Sequence, residues 1–131
     1  MDAKDCRGFE EVCCFVEALE HCDKFNGKAT YLLVCNRPIG RLEGASDILY
    51  IGQSGRLDGR LRDYRSGDKK HTLQDYRIGE TVGYLASDGV TVSFHVCQEP
   101  PDGQTAKEYE SQLLGRYEAE HWELPPCNFK R

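Results

Sequence analysis

The chain has 131 residues, of which 17 are Lys or Arg and 22 are Asp or Glu, so its formal net charge is −5 at pH 7. This length suits one small domain with a modest core. No apolar run approaches the length of a membrane span, and the start of the chain lacks the apolar core of a signal peptide. The 7 cysteines are odd in number and include no Cys-x-x-Cys pair, and together with the lack of a signal-peptide pattern this leads us to expect reduced thiols and a cytoplasmic domain.

Residues 8 to about 24 show apolar side chains at helical spacing, and Gly27 suits the end of a helix. This apolar stripe consists of Phe9, Val12, Cys13, Val16, Leu19 and Cys22. We therefore predict that residues 1–28 form an N-terminal helical extension. Such a helix either docks on the rest of the domain or provides the contact of a homodimer.

Two apolar segments predict neighbouring strands. Ala29 to Asn36 is apolar on both faces, which is typical of a central strand, and Ile48 to Ile51 is a short buried strand. The residues between them, 37–47, are rich in Gly, Pro and polar side chains, which predicts a hairpin with a long loop. In this arrangement Tyr31 and Tyr50 could stand side by side.

A helix is predicted after the Gly-Gln-Ser-Gly turn at residues 52–55, and Ser54 can cap it. Its apolar face consists of Leu57, Leu61 and Tyr64. Arg60 lies at the edge of that face, one helical turn before Tyr64. Its guanidinium can therefore be held by packing and still reach into a cleft.

The segment at residues 72–86 allows two interpretations. The apolar positions Ile78, Val82 and Leu85 favour a helix, whereas Gly79 and Gly83 would also suit a hairpin. The residues from Val90 to Cys97 follow as a predicted strand.

The last predicted helix begins at Thr105, which forms a capping-box pattern with Glu108, and runs to about His121. Its buried stripe consists of Ala106, Tyr109, Leu113, Leu114 and Tyr117. Glu110 falls inside this stripe. A carboxylate on a packed face is costly unless it is paired or binds a metal, so Glu110 is a candidate ligand for a divalent cation.

Several of these residues together resemble the GIY-YIG nuclease superfamily, over about residues 29–128. They are Tyr31, Tyr50-Ile51-Gly52, Arg60, Tyr64, Glu110 and Asn128. The second motif is intact, but the first triplet is Ala29-Thr30-Tyr31 and keeps only its tyrosine. Gln53 stands where some repair members have lysine. The resemblance implies an α+β domain at residues 29–131, with a small three-stranded antiparallel sheet flanked by helices, to which the N-terminal helix is added.

The resemblance also implies a metal-dependent endonuclease that hydrolyses phosphodiester bonds, with DNA as the expected substrate. Glu110 would hold one Mg²⁺ or Mn²⁺, and Arg60 would bind the phosphate oxygens as charge builds up in the transition state. Tyr50 would act as general base, its phenol acidified by the cation and the arginine. Tyr31 and Tyr64 would position the water or the phosphate.

Charge along the chain also indicates where nucleic acid would bind. Residues 53–77 contain seven Lys or Arg and four Asp, whereas acidic residues dominate on both sides of this segment. A basic cluster inside an acidic chain predicts contacts to one stretch of phosphate backbone. The expected substrate-binding residues are Gly52, Arg56, Lys69, Lys70, His71 and Asn128.

Two other functions agree with the same sequence. A degenerate domain could keep the fold and bind nucleic acid without cutting it, which the altered first triplet permits. Alternatively, the domain could be a protein-interaction module that uses its acidic N-terminal helix.

Overall fold

The computed structural model describes residues 1–66 and 73–129, except for the side chain of Ser66. In this part of the chain the fold is α+β, with one four-stranded antiparallel sheet and four α-helices. The elements in chain order are β1 Glu10–Cys14, α1 Phe15–Glu20, β2 Ala29–Gly40, β3 Ala45–Ser54, α2 Leu57–Ser66, α3 Leu73–Ser87, β4 Val92–Cys97 and α4 Ala106–His121. Short 3₁₀ turns lie at Ala3–Asp5, Cys22–Lys24 and Pro101–Gly103.

The strand order in the sheet is β1-β4-β2-β3. β2 pairs with a strand on each side, and residues 29–35 are all buried, which confirms the predicted central strand. In the pairing of β2 with β3, Tyr31 faces Gly52 and Leu33 faces Tyr50. Tyr50 is therefore the diagonal neighbour of Tyr31 on the same face of the sheet.

The predicted long loop between β2 and β3 is wrong, because both strands continue well beyond their buried parts. β2 runs to Gly40 and β3 begins at Ala45, so the connection is short and is closed by a 2.9 Å bond from the Arg41 N–H to the Gly44 carbonyl. Arg37 and Pro38 lie on the exposed extension of β2, where the register with β3 is irregular. A strand tolerates proline at such a position because the position need not donate to the ladder.

The predicted single helix over residues 8–24 is also wrong, since residues 10–14 form β1 and only Phe15–Glu20 are α-helical. β1 pairs with the outer edge of β4, so the sheet has four strands and not the predicted three. Here the pairing available at the edge of β4 overrides the helical spacing of the apolar residues. Val12 and Val16 are 49% and 55% exposed, so the stripe is not buried as one face. A homodimer contact through this segment stays a prediction.

The two faces of the sheet carry separate apolar clusters. One face packs against α1, α2 and α3, and its cluster includes Phe15, Tyr31, Leu33, Tyr50, Leu57, Leu61, Tyr64, Ile78 and Phe94. The other face packs against α4, and its cluster includes Leu32, Val34, Ile48, Ile51, Tyr109, Leu113, Leu114 and Tyr117. Among the described helices, none has the length and apolar character needed to cross a membrane.

The helices predicted after β3 are confirmed, and α3 settles the ambiguous segment as a helix. The capping box of α4 is present: the Thr105 hydroxyl accepts from the Glu108 N–H at 3.1 Å, and the Glu108 carboxylate accepts from the Thr105 N–H at 2.9 Å. Ser54 accepts a 3.0 Å bond from the Arg56 N–H and so fixes the turn just before α2.

Candidate active site

Three tyrosines meet beneath α2 on one face of the sheet. The hydroxyls of Tyr31 and Tyr64 are hydrogen-bonded at 2.6 Å, and the rings of Tyr31 and Tyr50 lie with their centroids 6.0 Å apart. Tyr31 comes from β2, Tyr50 from β3 and Tyr64 from α2, so the cluster joins the sheet to the helix above it. The structure thus brings together the three tyrosines that the sequence singled out.

Gly52 makes this packing sterically feasible. A Cβ at this position would lie 2.6 Å from Tyr31 Cζ and 2.6 Å from Tyr50 Cε2, far inside van der Waals contact. The side chains of Tyr31 and Tyr50 therefore fill the space that any other residue at position 52 would occupy. Gly52 was predicted to bind substrate, and the structure gives it a packing role between the two rings.

Burial controls the acidity of the tyrosines. Tyr31 is fully buried, and Tyr50 and Tyr64 are only 6% and 9% exposed. Burial raises the pKa of all three phenols, whereas the charge of Arg60 acts to lower them. For Tyr50, a hydrogen bond with Tyr64 also acts to lower the pKa, but the net direction is upward. The protein groups around Tyr50 therefore do not acidify its phenol as the sequence led us to expect.

Arg60 packs on the tyrosine cluster and is held by a residue that the sequence analysis did not single out. Its guanidinium carbon lies 4.4 Å from the centroid of the Tyr64 ring. Both terminal nitrogens donate to the Asp75 carboxylate, Nη1 to Oδ2 at 3.2 Å and Nη2 to Oδ1 at 2.5 Å. A further ion pair joins Nη1 to Asp63 at 3.6 Å. Arg60 is thus fixed by stacking on one side and by a bidentate ion pair on another.

Asp75 could have been found from the sequence by the argument that identified Glu110. It is 7% exposed and lies in the first turn of α3, on the same helical stripe as Ile78 and Val82. A carboxylate on an apolar stripe indicates a buried partner. This signal was hidden because the segment also allowed a hairpin, in which Asp75 has no defined face.

Glu110 lies on α4, which packs against the other face of the sheet from the tyrosine cluster. It is half-buried, and burial raises its pKa while Lys107 opposes the rise. Its negative charge also raises the pKa of Tyr50. The charge of Glu110 thus acts on the Tyr50 phenol, although Tyr50 belongs to the apolar cluster on one face of the sheet and Glu110 to the helix packed against the other face.

The donor set around Glu110 limits the kind of metal site it can form. Within residues 1–66 and 73–129, no group of three or more His, Cys, Asp or Glu side chains could hold a metal ion. A protein-enclosed site does not fit these residues. One partly desolvated carboxylate does fit Mg²⁺ or Mn²⁺, because Mg²⁺ commonly uses one or two carboxylates together with waters and substrate phosphates.

Asn128 binds the backbone of β3. Its side-chain oxygen accepts from the Ile51 N–H at 3.0 Å, and its side-chain nitrogen donates to the Ile51 carbonyl at 2.9 Å. The neighbouring Cys127 N–H donates to the Leu49 carbonyl at 3.0 Å. The C-terminal segment therefore satisfies the outer edge of the strand that carries Tyr50 and Gly52, and Asn128 orients this backbone.

A small cavity of about 310 Å³ opens beside Arg60. It is lined by Ser54, Arg56, Gly59, Arg60 and Asp63. Arg56 is an exposed side chain that pairs with Asp58 at 3.7 Å, and it is available at the mouth of this cavity. The other predicted substrate contacts, Lys69, Lys70 and His71, lie outside the described residues.

No protein-family model, curated protein or solved structure matches this chain. The resemblance to GIY-YIG nucleases therefore stays a prediction that rests on the motif residues.

Proposed function

We propose that this domain is a metal-dependent endonuclease of the GIY-YIG type that hydrolyses phosphodiester bonds in nucleic acid, with DNA as the expected substrate. One observation carries the proposal: Tyr31, Tyr50, Tyr64 and Arg60, from three separate elements, pack into one cluster, and Arg60 of this cluster lines an open cavity. A cationic group held against phenols at a cavity suits the binding of a phosphodiester.

Arg60 is the proposed phosphate clamp. Its side chain is 23% exposed and lines the cavity, while its guanidinium contacts Tyr64 and Asp75. Donors aimed at the non-bridging oxygens stabilise the charge that builds up there in the transition state. Arg56, which lines the same cavity, supplies a second contact to the phosphate backbone of the nucleic acid.

Tyr50 is the proposed general base, and Tyr31 and Tyr64 support it. Burial is the largest effect on the pKa of Tyr50 and raises it, as does the charge of Glu110, while the hydrogen bond with Tyr64 and the charge of Arg60 act to lower it. Tyr31 is fully buried, so it acts through its 2.6 Å bond to the Tyr64 hydroxyl and not by touching substrate. Bound at Glu110, Mg²⁺ or Mn²⁺ would supply positive charge that neutralises the scissile phosphate and the leaving oxygen.

Glu110→Gln is expected to abolish cleavage of duplex or branched DNA while the domain stays folded. Arg60→Ala is expected to abolish cleavage beyond any loss of folded protein, because it also removes the arginine that pairs with the buried Asp75. Both changes remove stabilisation of the transition state worth about 3 kcal/mol or more, which is a factor of roughly 100 or more in rate. The measurement is cleavage in the presence of Mg²⁺ or Mn²⁺, with circular dichroism to confirm folding. Glu118→Gln, the same change on the same helix, is the matched control and should cut normally.

Full activity in the Glu110 or Arg60 variant would reject the assignment of that residue. Chelation by EDTA should stop the reaction, and cleavage that survives it would rule out the metal-dependent mechanism.

A second candidate function is binding of nucleic acid without cleavage. The complete burial of Tyr31, the raised pKa of Tyr50 and the altered triplet Ala29-Thr30-Tyr31 favour it. Incubation of plasmid and branched DNA with Mn²⁺ distinguishes the two functions. Binding at low salt with intact DNA after incubation supports the non-cutting domain, whereas cleaved products support the nuclease.

A further inference from the structure

The partly buried ion pair between Arg60 and the buried Asp75 has a geometry that bears on the proposed reaction. Asp75 takes one hydrogen from each terminal nitrogen of the guanidinium, at 3.2 and 2.5 Å. Of the five N–H groups of the guanidinium, two thus donate to Asp75 and one to the Tyr31 hydroxyl, and Asp63 lies 3.6 Å from Nη1. Two N–H groups remain for another acceptor. The arginine can therefore bind a phosphate without releasing Asp75.

The surroundings of the pair restrict how the guanidinium can turn. Asp75 is 7% exposed and belongs to α3, while Arg60 belongs to α2 and stacks on Tyr64 at 4.4 Å. Removing one partner of a buried pair leaves an uncompensated charge, which makes the pairing strongly preferred. Asp75 on α3 therefore holds the guanidinium at one edge, and the ring of Tyr64 holds it at one face. The cavity of about 310 Å³ lies beside the arginine.

We propose that Asp75 is a positioning residue that holds Arg60 in the orientation in which its remaining N–H groups meet a phosphate in the adjacent cavity; this inference rests on the proposed nuclease function. Asp75 does not touch the substrate. It fixes the arginine before the phosphate arrives, so that no reorientation is needed in the transition state.

The expected change in KM on substitution of Asp75 distinguishes a positioning role from a direct attraction between Asp75 and the substrate. The negative charge of Asp75 opposes the approach of a phosphate. Asp75→Asn, which keeps the shape and removes the charge, should therefore not raise KM. It should lower kcat by roughly tenfold or more, because a misdirected guanidinium costs transition-state stabilisation.

The orientation itself is measured by NMR of the arginine side chains, which needs no catalysis. A guanidinium held by a bidentate carboxylate rotates slowly about its Nε–Cζ bond and gives separate Nη signals. We expect this for Arg60, assigned by its absence in Arg60→Lys, and we expect the signals to merge in Asp75→Asn. Free rotation about the Nε–Cζ bond of Arg60 in the unmodified protein would already overturn the proposal. The proposal therefore remains testable even if Asp75→Asn does not fold.

Asp102→Asn is the matched control. It removes a carboxylate from the exposed Arg7–Asp102 pair, whose nitrogen–oxygen distance is 2.9 Å. Neither the Arg60 signals nor the cleavage rate should change in this variant. All rates are divided by the folded fraction measured by circular dichroism.

The outcomes separate this inference from the proposed function. If the unmodified protein cuts and Asp75→Asn cuts with the same kcat, the positioning role is overturned and the nuclease stands. If the unmodified protein does not cut DNA in Mg²⁺ or Mn²⁺, the nuclease is overturned together with any role of Asp75 in it. Merged Nη signals in Asp75→Asn together with a lower kcat and an unchanged or lower KM support the positioning role.

Discussion

The three tyrosines that suggested a function are buried, and their side chains contact one another. Tyr31 has no exposed surface and bonds to Tyr64, while Gly52 provides the space in which Tyr31 and Tyr50 approach. These residues shape the support under Arg60, which is the partly exposed member of the cluster. The chemistry of the site thus depends on how precisely buried neighbours hold one cationic side chain.

Gly52→Ala is expected to destabilise the domain by about 1–3 kcal/mol, the cost typical of overpacking a core. The added methyl group would lie 2.6 Å from carbon atoms of both Tyr31 and Tyr50, so the rings or the strand must shift. Chemical denaturation followed by circular dichroism measures the change. Gly55→Ala is the control, because nothing lies within 4 Å of its added Cβ, and it should leave the stability nearly unchanged. Equal stability of the two variants would contradict the packing role of Gly52.

At the scale of elements, the sequence predicted the parts whose apolar pattern is strong and local. The central strand β2, the helix α2 and the capping box of α4 follow from burial on one or both faces and from short-range hydrogen bonds. The strand β1 could not be predicted in this way, because it forms only by pairing with β4, more than 75 residues away in the chain. The Arg60–Asp75 pair likewise depends on how α2 and α3 dock.

The contact between the C-terminal segment and β3 shows that a sequence can mark a residue without revealing what that residue binds. The sequence marked Asn128 through the resemblance alone, and the structure shows its amide bound to both backbone groups of Ile51. This contact protects the free edge of β3, where unpaired N–H and C=O groups would otherwise face solvent or another chain.

Asn128→Ala should lower the free energy of unfolding by about 1–3 kcal/mol, since two hydrogen bonds to backbone are removed and both Ile51 groups lose their partner. Exchange of the Ile51 amide hydrogen should become faster, which hydrogen-exchange NMR measures residue by residue. Asn26→Ala is the control: Asn26 is exposed, and it is the backbone carbonyl of Asn26 that accepts from Gln98. Unchanged protection of Ile51 in Asn128→Ala would show that the edge is held by other contacts.

At the scale of the whole molecule, the basic segment is less positive than its count of arginines suggests. Of the seven Lys and Arg at residues 53–77, Arg60 is neutralised by Asp75 and Arg62 is paired with Asp58 at 2.9 Å. Arg77 stacks over the ring of Phe129 with its guanidinium carbon 4.9 Å from the centroid. With a net charge of −5 on the chain, affinity for DNA must depend on a few phosphate contacts.

We therefore expect weak binding to DNA that falls steeply as salt increases, because each phosphate contact releases bound counterions. Lys69→Glu combined with Lys70→Glu should weaken binding further and reduce the slope of log K against log salt by about 2, or about 1 for each lysine that no longer neutralises a phosphate. Fluorescence anisotropy with a labelled duplex between low and moderate salt measures both quantities. The control is Lys4→Glu combined with Arg7→Glu, which makes the same change in net charge on the N-terminal segment. If both double variants reduce the slope equally, overall charge governs binding and no defined phosphate contact lies at Lys69 and Lys70; tight binding that ignores salt would instead place the affinity in base stacking.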